Sequence, residues 1–275
     1  MAGAALIFSI VDTQAKYLTG TVEPMVIAWS RQIGLGIAAI GFVVVYGPRV
    51  LETQFLLLQL VRGVLSGISA ALYVIALMFV PLVDAIAVTF TVPFFTVLLA
   101  ACLLREPLNC RRLAIVSVGF LGAIVMARPG LGGLSPAIFL VFLEAFLYSM
   151  RQIITRKVAV TDGLPTTLVY TGVAGGIILS IPLALFCEFP SSLLEVGMLF
   201  EIGILAAVAE ILVIVALSCA LAVAVAPVHY SMLVWGTLLS WAVFDQLPDA
   251  YTVLGAAVIV LAGIALVFTE RPAPR

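Results

Sequence analysis

The constraint that dominates this chain is a series of long apolar runs with almost no charge in them. From Leu82 to Leu104 the only charged residue is Asp84, and from Tyr251 to Thr269 there is none. A soluble helix has one apolar stripe and one wet face, whereas these stretches are apolar all round over about 20 residues, the length that crosses roughly 30 Å of hydrocarbon. Such segments span a membrane. Over the whole chain 64% of residues are apolar and 10% are charged, where an ordinary soluble domain carries about 25% charge. A water-soluble fold is excluded.

Hydropathy and turn residues divide the chain into about ten spans. They fall near 2–18, 25–46, 58–80, 82–104, 112–128, 136–155, 165–186, 198–219, 223–244 and 251–269. Breaks lie at Gly47-Pro48, between Arg105 and Arg112, between Pro129 and Pro136, between Arg156 and Pro165, and between Asp245 and Ala250. Residues 1–18 read as a first span and not as a signal peptide, because they lack a basic leading region and carry Asp12 and Lys16. The fold expected is an all-α polytopic membrane protein.

Lys and Arg in short loops stay on the cytoplasmic side. With the N-terminus inside, that side and its flanks hold Arg49, Arg62, Arg105, Arg111, Arg112, Arg151, Arg156, Lys157, Arg271 and Arg275. The opposite side holds only Lys16, Arg31 and Arg128. Both termini are therefore expected in the cytoplasm of a bacterial cell, with the body in the inner membrane.

A weak internal repeat appears at an offset of about 140 residues. Leu103-Leu104-Arg105-Glu106-Pro107, followed by Leu113 and Gly122, parallels Val243-Phe244-Asp245-Gln246-Leu247-Pro248, followed by Leu254 and Gly263. An odd number of spans per half inserts the halves in opposite directions. The loops agree, since the one with Arg105, Arg111 and Arg112 is basic and its counterpart with Asp245 and Asp249 is acidic. The expectation is two inverted five-helix repeats, 1–128 and 136–269, around a central cavity, an arrangement common in secondary carriers.

Several residues carry a family likeness. Ala76-Leu77, Pro81-Leu82-Val83-Asp84-Ala85, Pro93-Phe94-Phe95 and Arg105-Glu106-Pro107 in the first half, with Ala226-Pro227, Tyr230, Leu233-Val234-Trp235 and Leu247-Pro248-Asp249 in the second, resemble the drug/metabolite transporter superfamily, EamA branch. Asp12, Lys16-Tyr17-Leu18, Leu60 and Arg62-Gly63 resemble, more narrowly, the subgroup of riboflavin importers, S-adenosylmethionine carriers and opine-metallophore exporters. The resemblance implies that the fifth and tenth helices are peripheral and the others surround the cavity. One departure is that Ala209-Glu210 stands where the subgroup often has Gly-His.

Charges inside a span cost at least about 2.5–3.5 kcal/mol on insertion scales, so each must face protein or a wet cavity. Ser9, Asp12 and Lys16 share one face of span one. Either Asp12 pairs locally with Lys16 while Lys16 snorkels outward, or Asp12 faces the cavity. Glu144, Tyr148, Arg151 and Thr155 form one polar stripe on span six, and Glu210, with Ser218 beyond it, lies in span eight. A buried Glu suits proton coupling, a substrate cation, or a structural pair with an Arg. Arg31 either neutralises Glu144 or Glu210 or presents its planar fork to an anionic substrate group. His229, beside Tyr230, is either a hydrogen-bonded helix contact or a proton switch. Arg62, Ser66, Ser69 and Tyr73 repeat the stripe in span three, where Arg62 reads as an end anchor. Pro93 should break span four and free carbonyls at Thr89-Phe90. Gly63-xxx-Gly67 and Gly172-xxx-Gly176 read as close-packing motifs.

The candidate binding or coupling residues are thus Asp12, Lys16, Arg31, Tyr73, Thr89, Phe90, Glu144, Tyr148, Glu210, His229 and Tyr230. The function expected is secondary transport of a small polar metabolite, with a channel or a subunit of a larger membrane complex as the alternative. The sequence has no HExxH or GxSxG motif, so an enzyme is not expected. Partners expected are a small-molecule substrate, the lipid bilayer and, for coupling, protons; a homodimer is compatible with this fold. The net charge of −1 argues against nucleic acid. Cys102, Cys110, Cys187 and Cys219 form no CxxC pair, so they read as apolar packing residues, with no metal or cofactor expected.

Overall fold

The computed structural model describes residues 2–105, 110–127, 135–158, 161–186, 190, 192–219 and 231–269. Among them every long element is a helix: α1 (Ala2–Leu18), α2 (Pro24–Tyr46), α3 (Leu56–Leu77), α4 (Leu82–Thr89), α5 (Val92–Leu104), α6 (Cys110–Ala127), α7 (Ile138–Val158), α8 (Leu164–Phe186), α9 (Leu193–Cys219), α10 (Ser231–Phe244) and α11 (Ala250–Thr269). A single 3-10 turn, Pro48–Leu51, follows α2. Among the described residues six membrane-length segments are apolar enough to span, including Pro24–Tyr46 and the α4–α5 pair taken as Leu82–Leu104.

Helix lets each spanning segment satisfy every backbone N–H and C=O within itself, as lipid requires. The outer faces are correspondingly greasy: Ile40, Val44, Ile177 and Leu261 are all more than half exposed. In water such a surface would aggregate; in hydrocarbon it costs nothing.

The break foreseen at Pro93 separates α4 from α5. Proline cannot donate the bond that would continue the helix, and Phe90 and Thr91 close α4 instead with bonds to Ala87 and Val88 carbonyls. The carbonyl of Val92 accepts a hydrogen bond from the Ser149 hydroxyl of α7 at 3.0 Å. The expected start of span eight moves: α9 begins at Leu193, five residues earlier than position 198, because Glu195, which fell before the expected span, lies half-buried on its first helical turn.

Packing brings the two ends of the sequence together. α2 lies along α8, α6 along α11, α3 on α7 and α8, α9 on α1 and α2, and α10 on α1. Glycine sets the closest crossings. A side chain at Gly34 of α2 would overlap the Gly203 backbone of α9, and one at Gly63 or Gly67 of α3 would collide with Ala174 or Gly175 of α8. Such contacts let backbones approach and replace the hydrophobic drive that lipid removes. In the second motif Gly172 meets Leu35 and Gly36 as expected, whereas Gly175 and not Gly176 makes the other tight contact. Cys102 and Cys110 are free and exposed, not interior packing residues as expected.

Candidate functional site

A chain of buried polar side chains runs between the packed helices. At its centre the Arg31 Nη1 of α2 lies 3.0 Å from Asp12 Oδ1 of α1, and the Tyr73 hydroxyl of α3 donates to Asp12 Oδ2 at 3.2 Å. Asp12 is thus satisfied on both oxygens. Arg31 faces protein, but its partner is Asp12 and not Glu144 or Glu210.

The local pair between Asp12 and Lys16 does not form. Lys16 Nζ instead donates to the carbonyls of Leu77 at 3.0 Å and Val80 at 2.8 Å. Those carbonyls lie at the end of α3 and in the turn just after it, where the backbone leaves acceptors unfilled and the helix dipole favours a cation. A helix terminus therefore captures the ammonium and leaves Asp12 to Arg31. Asp84, near Lys16, accepts the Thr252 hydroxyl of α11 at 2.6 Å.

Glu144 and Arg151 of α7 and Glu210 of α9 face the same interior. Arg151 Nη2 is 3.7 Å from Glu210 Oε1, its guanidinium sits 4.3 Å over the Tyr148 ring, and Nη1 donates to Ser66 of α3 at 3.2 Å. Glu144 is 8% exposed and lies within electrostatic reach of Arg151, Asp12 and Arg31. Its Oε2 has no hydrogen-bond partner among the described residues. Asp12, Arg31, Tyr73, Glu144, Tyr148 and Glu210 are therefore brought together, with Arg151 as a further member that the stripe on span six had signalled.

Toward the opposite end of α3 from Lys16, Arg62 proves to be more than an end anchor. It is 4% exposed and donates to the Thr155 hydroxyl of α7 at 2.7 Å, to the Thr167 carbonyl of α8 at 3.1 Å, and to the Thr171 hydroxyl. Beyond it, Asp162 in the α7–α8 link accepts from Thr53 at 2.6 Å and from Gln59 at 2.8 Å. Burial opposes the Asp162 charge, but hydrogen bonds from Thr53, Gln59, Thr161 and the Gln54 backbone outweigh it and hold the carboxyl below its ordinary value of 3.8. Sequence reading missed Asp162; Thr53, Gln59 and Thr167 were its only signal.

Thr89 and Phe90 sit at the α4–α5 break, where the Thr89 hydroxyl donates to the Ile86 carbonyl at 2.7 Å and Phe90 is buried. The structure does not bond Thr89 into the ionic centre. His229 and Tyr230 lie outside the described residues, as does the side chain of Ser218.

Comparison with known proteins accords with this geometry. Residues 1–128 match the EamA-like transporter family. An S-adenosylmethionine uptake transporter of Rickettsia prowazekii is 29% identical over 263 residues, covering 96% of this chain and 89% of the relative. A riboflavin transporter of Rhizobium johnstonii is 28% identical over 274 residues, 97% of this chain and 89% of the relative. A pseudopaline exporter of Pseudomonas aeruginosa is 27% identical over 284 residues, 98% and 94% of the two chains. One crystal structure aligns over 96% of both chains with a TM-score of 0.61 at 21% identity, a likeness of fold. The apolar helices, with the match over residues 1–128, make this a multi-pass membrane protein, and the relatives point to transport and away from catalysis.

Proposed function

We propose that the chain is a secondary active transporter that carries a small polar metabolite across a bacterial inner membrane by alternating access, with both termini cytoplasmic. The observation that carries this reading is the buried ionic centre, because its members come from both parts of the chain: Asp12, Arg31 and Tyr73 from residues 1–128, and Glu144, Arg151 and Glu210 from residues 136–269. Buried charge in a membrane is expensive and is retained where a substrate or ion must be handled. A site at the junction of two halves is what a rocking carrier needs.

The packing pattern supports ten spans in two inverted halves. With α4 and α5 counted as one span, exchanging each span with the one five places on turns the α3–α7 contact into α9–α1, α3–α8 into α9–α2, and α5–α7 into α10–α1, while α2–α8 and α6–α11 map onto themselves. Peripheral placement of α6 and α11 also fits their mutual packing. The cytoplasmic placement of the termini rests on the distribution of Lys and Arg.

The relatives named for S-adenosylmethionine, riboflavin and pseudopaline make polar metabolites of that size the substrates to try first. The test is counterflow: proteoliposomes are loaded with each unlabelled compound, and entry of its labelled form is followed. A carrier gives saturable, trans-stimulated uptake of at least one compound. Uptake that rises linearly with concentration and ignores the internal compound would make the chain a channel instead.

A further inference from the structure

The guanidinium groups of the described interior are each engaged by at least one partner. Arg31 holds Asp12, Arg151 holds Glu210 and Ser66 over the Tyr148 ring, and Arg62 holds the oxygens of Thr155, Thr167 and Thr171. The carboxylate oxygens are not all engaged. Asp12 has Arg31 and Tyr73, and Glu210 has Arg151, but Glu144 Oε2 has no hydrogen-bond partner among the described residues although the residue is more than nine-tenths buried. A buried carboxyl oxygen without a donor is costly and is retained where something else supplies one. The neighbours within its electrostatic reach, Asp12, Arg31 and Arg151, leave one acceptor too many, since each of the two cations already has a partner among the described residues.

We propose that Glu144 docks a protonated amine of the transported molecule, so that the substrate class is a polar metabolite bearing an ammonium group. This rests on the carrier reading above. An ammonium supplies the missing donors and the missing charge at once, in a charge-assisted hydrogen bond. Arg31 adds the counterpart. Its side chain is 16% exposed and is bonded to Asp12 through Nη1, so its fork offers an anchor for a carboxylate on the same molecule.

The test uses the full chain in lipid nanodiscs and matched probes: S-adenosylmethionine, L-methionine and L-histidine as amines, N-acetyl-L-methionine and N-acetyl-L-histidine as partners whose amino group is blocked, and riboflavin as an amine-free compound. Ligand-induced thermal stabilisation gives the apparent affinities. The expected result is that at least one amine stabilises the protein, that its N-acetyl partner or riboflavin binds at least about tenfold more weakly, as loss of a charge-assisted bond requires, and that Glu144→Gln erases the preference while Glu144→Asp retains part of it. The comparison on the unaltered protein stands even where a variant fails to fold. Equal binding of amine and amine-free probes, binding of riboflavin alone, an amine preference that survives Glu144→Gln, or no binding by any amine overturns the proposal; the first three include the case in which Glu144 handles only a proton. Counterflow of riboflavin under the same conditions separates the two readings, since riboflavin exchange without amine binding would leave a carrier whose substrate does not dock through an amine.

Discussion

Neutralising either member of the Asp12–Arg31 pair tests whether the ionic centre is a coupled unit. Removing one partner of a buried ion pair costs about 3–5 kcal/mol, because the other charge is left without compensation. The two ends of this pair are not equally buried: the Asp12 side chain is 4% exposed and that of Arg31 is 16%. Asp12→Asn leaves a guanidinium that can turn toward water or a wet cavity, so its cost falls to about 2–3 kcal/mol. Arg31→Gln leaves a carboxylate with only the Tyr73 hydroxyl and keeps nearer the full about 4 kcal/mol. The double variant Asp12→Asn/Arg31→Gln should then be more stable than the sum of the singles by about 1.5–3 kcal/mol. Unfolding in mixed micelles, titrated with denaturing detergent and followed by tryptophan fluorescence and circular dichroism, gives all four values. Additivity of the singles to within about 0.5 kcal/mol, or a larger loss from Asp12→Asn than from Arg31→Gln, would refute the reasoning.

Further outcomes follow from the rest of the molecule. Gly34→Val drives a side chain into the Gly203 backbone and should lower folded yield sharply, while Gly36→Val, with open space around it, should cost less than about 1 kcal/mol. Asp162, whose carboxyl is held below 3.8, stabilises the fold above that pH and loses its contribution as pH falls through its folded value; the stability gap between the protein and Asp162→Asn should therefore close as pH falls below 3.8. A gap independent of pH would remove Asp162 from the account. Single cysteines introduced at Glu23 and Glu52 on a cysteine-free background should differ in intact cells, with impermeant reagent reaching Glu23→Cys alone; labelling of Glu52→Cys alone would invert the orientation.

Much of the fold was legible because its signals are local. The long apolar helices follow from apolar length, and the α4–α5 break follows from Pro93. The start of α9 was hidden because Glu195 fell outside the apolar run by composition, although a charged residue at a span's first turn costs little. The site was legible by residue and not by partner. The polar stripe Glu144-Tyr148-Arg151 marks the interior face of α7 from sequence spacing alone. That Lys16 would leave Asp12 for the end of α3 depends on where Leu77 and Val80 stop a neighbouring helix, and that Arg31 would reach Asp12 depends on how α1 and α2 cross. The Arg62 bonds to Thr155, Thr167 and Thr171 were concealed for the same reason: they join residues from three helices, and no short window of sequence contains them.

The central claim is that the two parts of the chain rock about the ionic centre. Two cross-half pairs report on it directly when spin-labelled as cysteines in nanodiscs: Glu52 with Thr161, near the Arg62 and Asp162 contacts, and Glu23 with Ser192, toward the other end of the bundle. Distance distributions by pulsed electron resonance should change in opposite senses when a transported compound is added, one end closing as the other opens. Arg62→Gln, which removes the bonds to α7 and α8, should widen the Glu52–Thr161 distance even without compound. Distances that stay fixed at both ends, or that widen at both ends together, in a preparation active in counterflow would contradict alternating access.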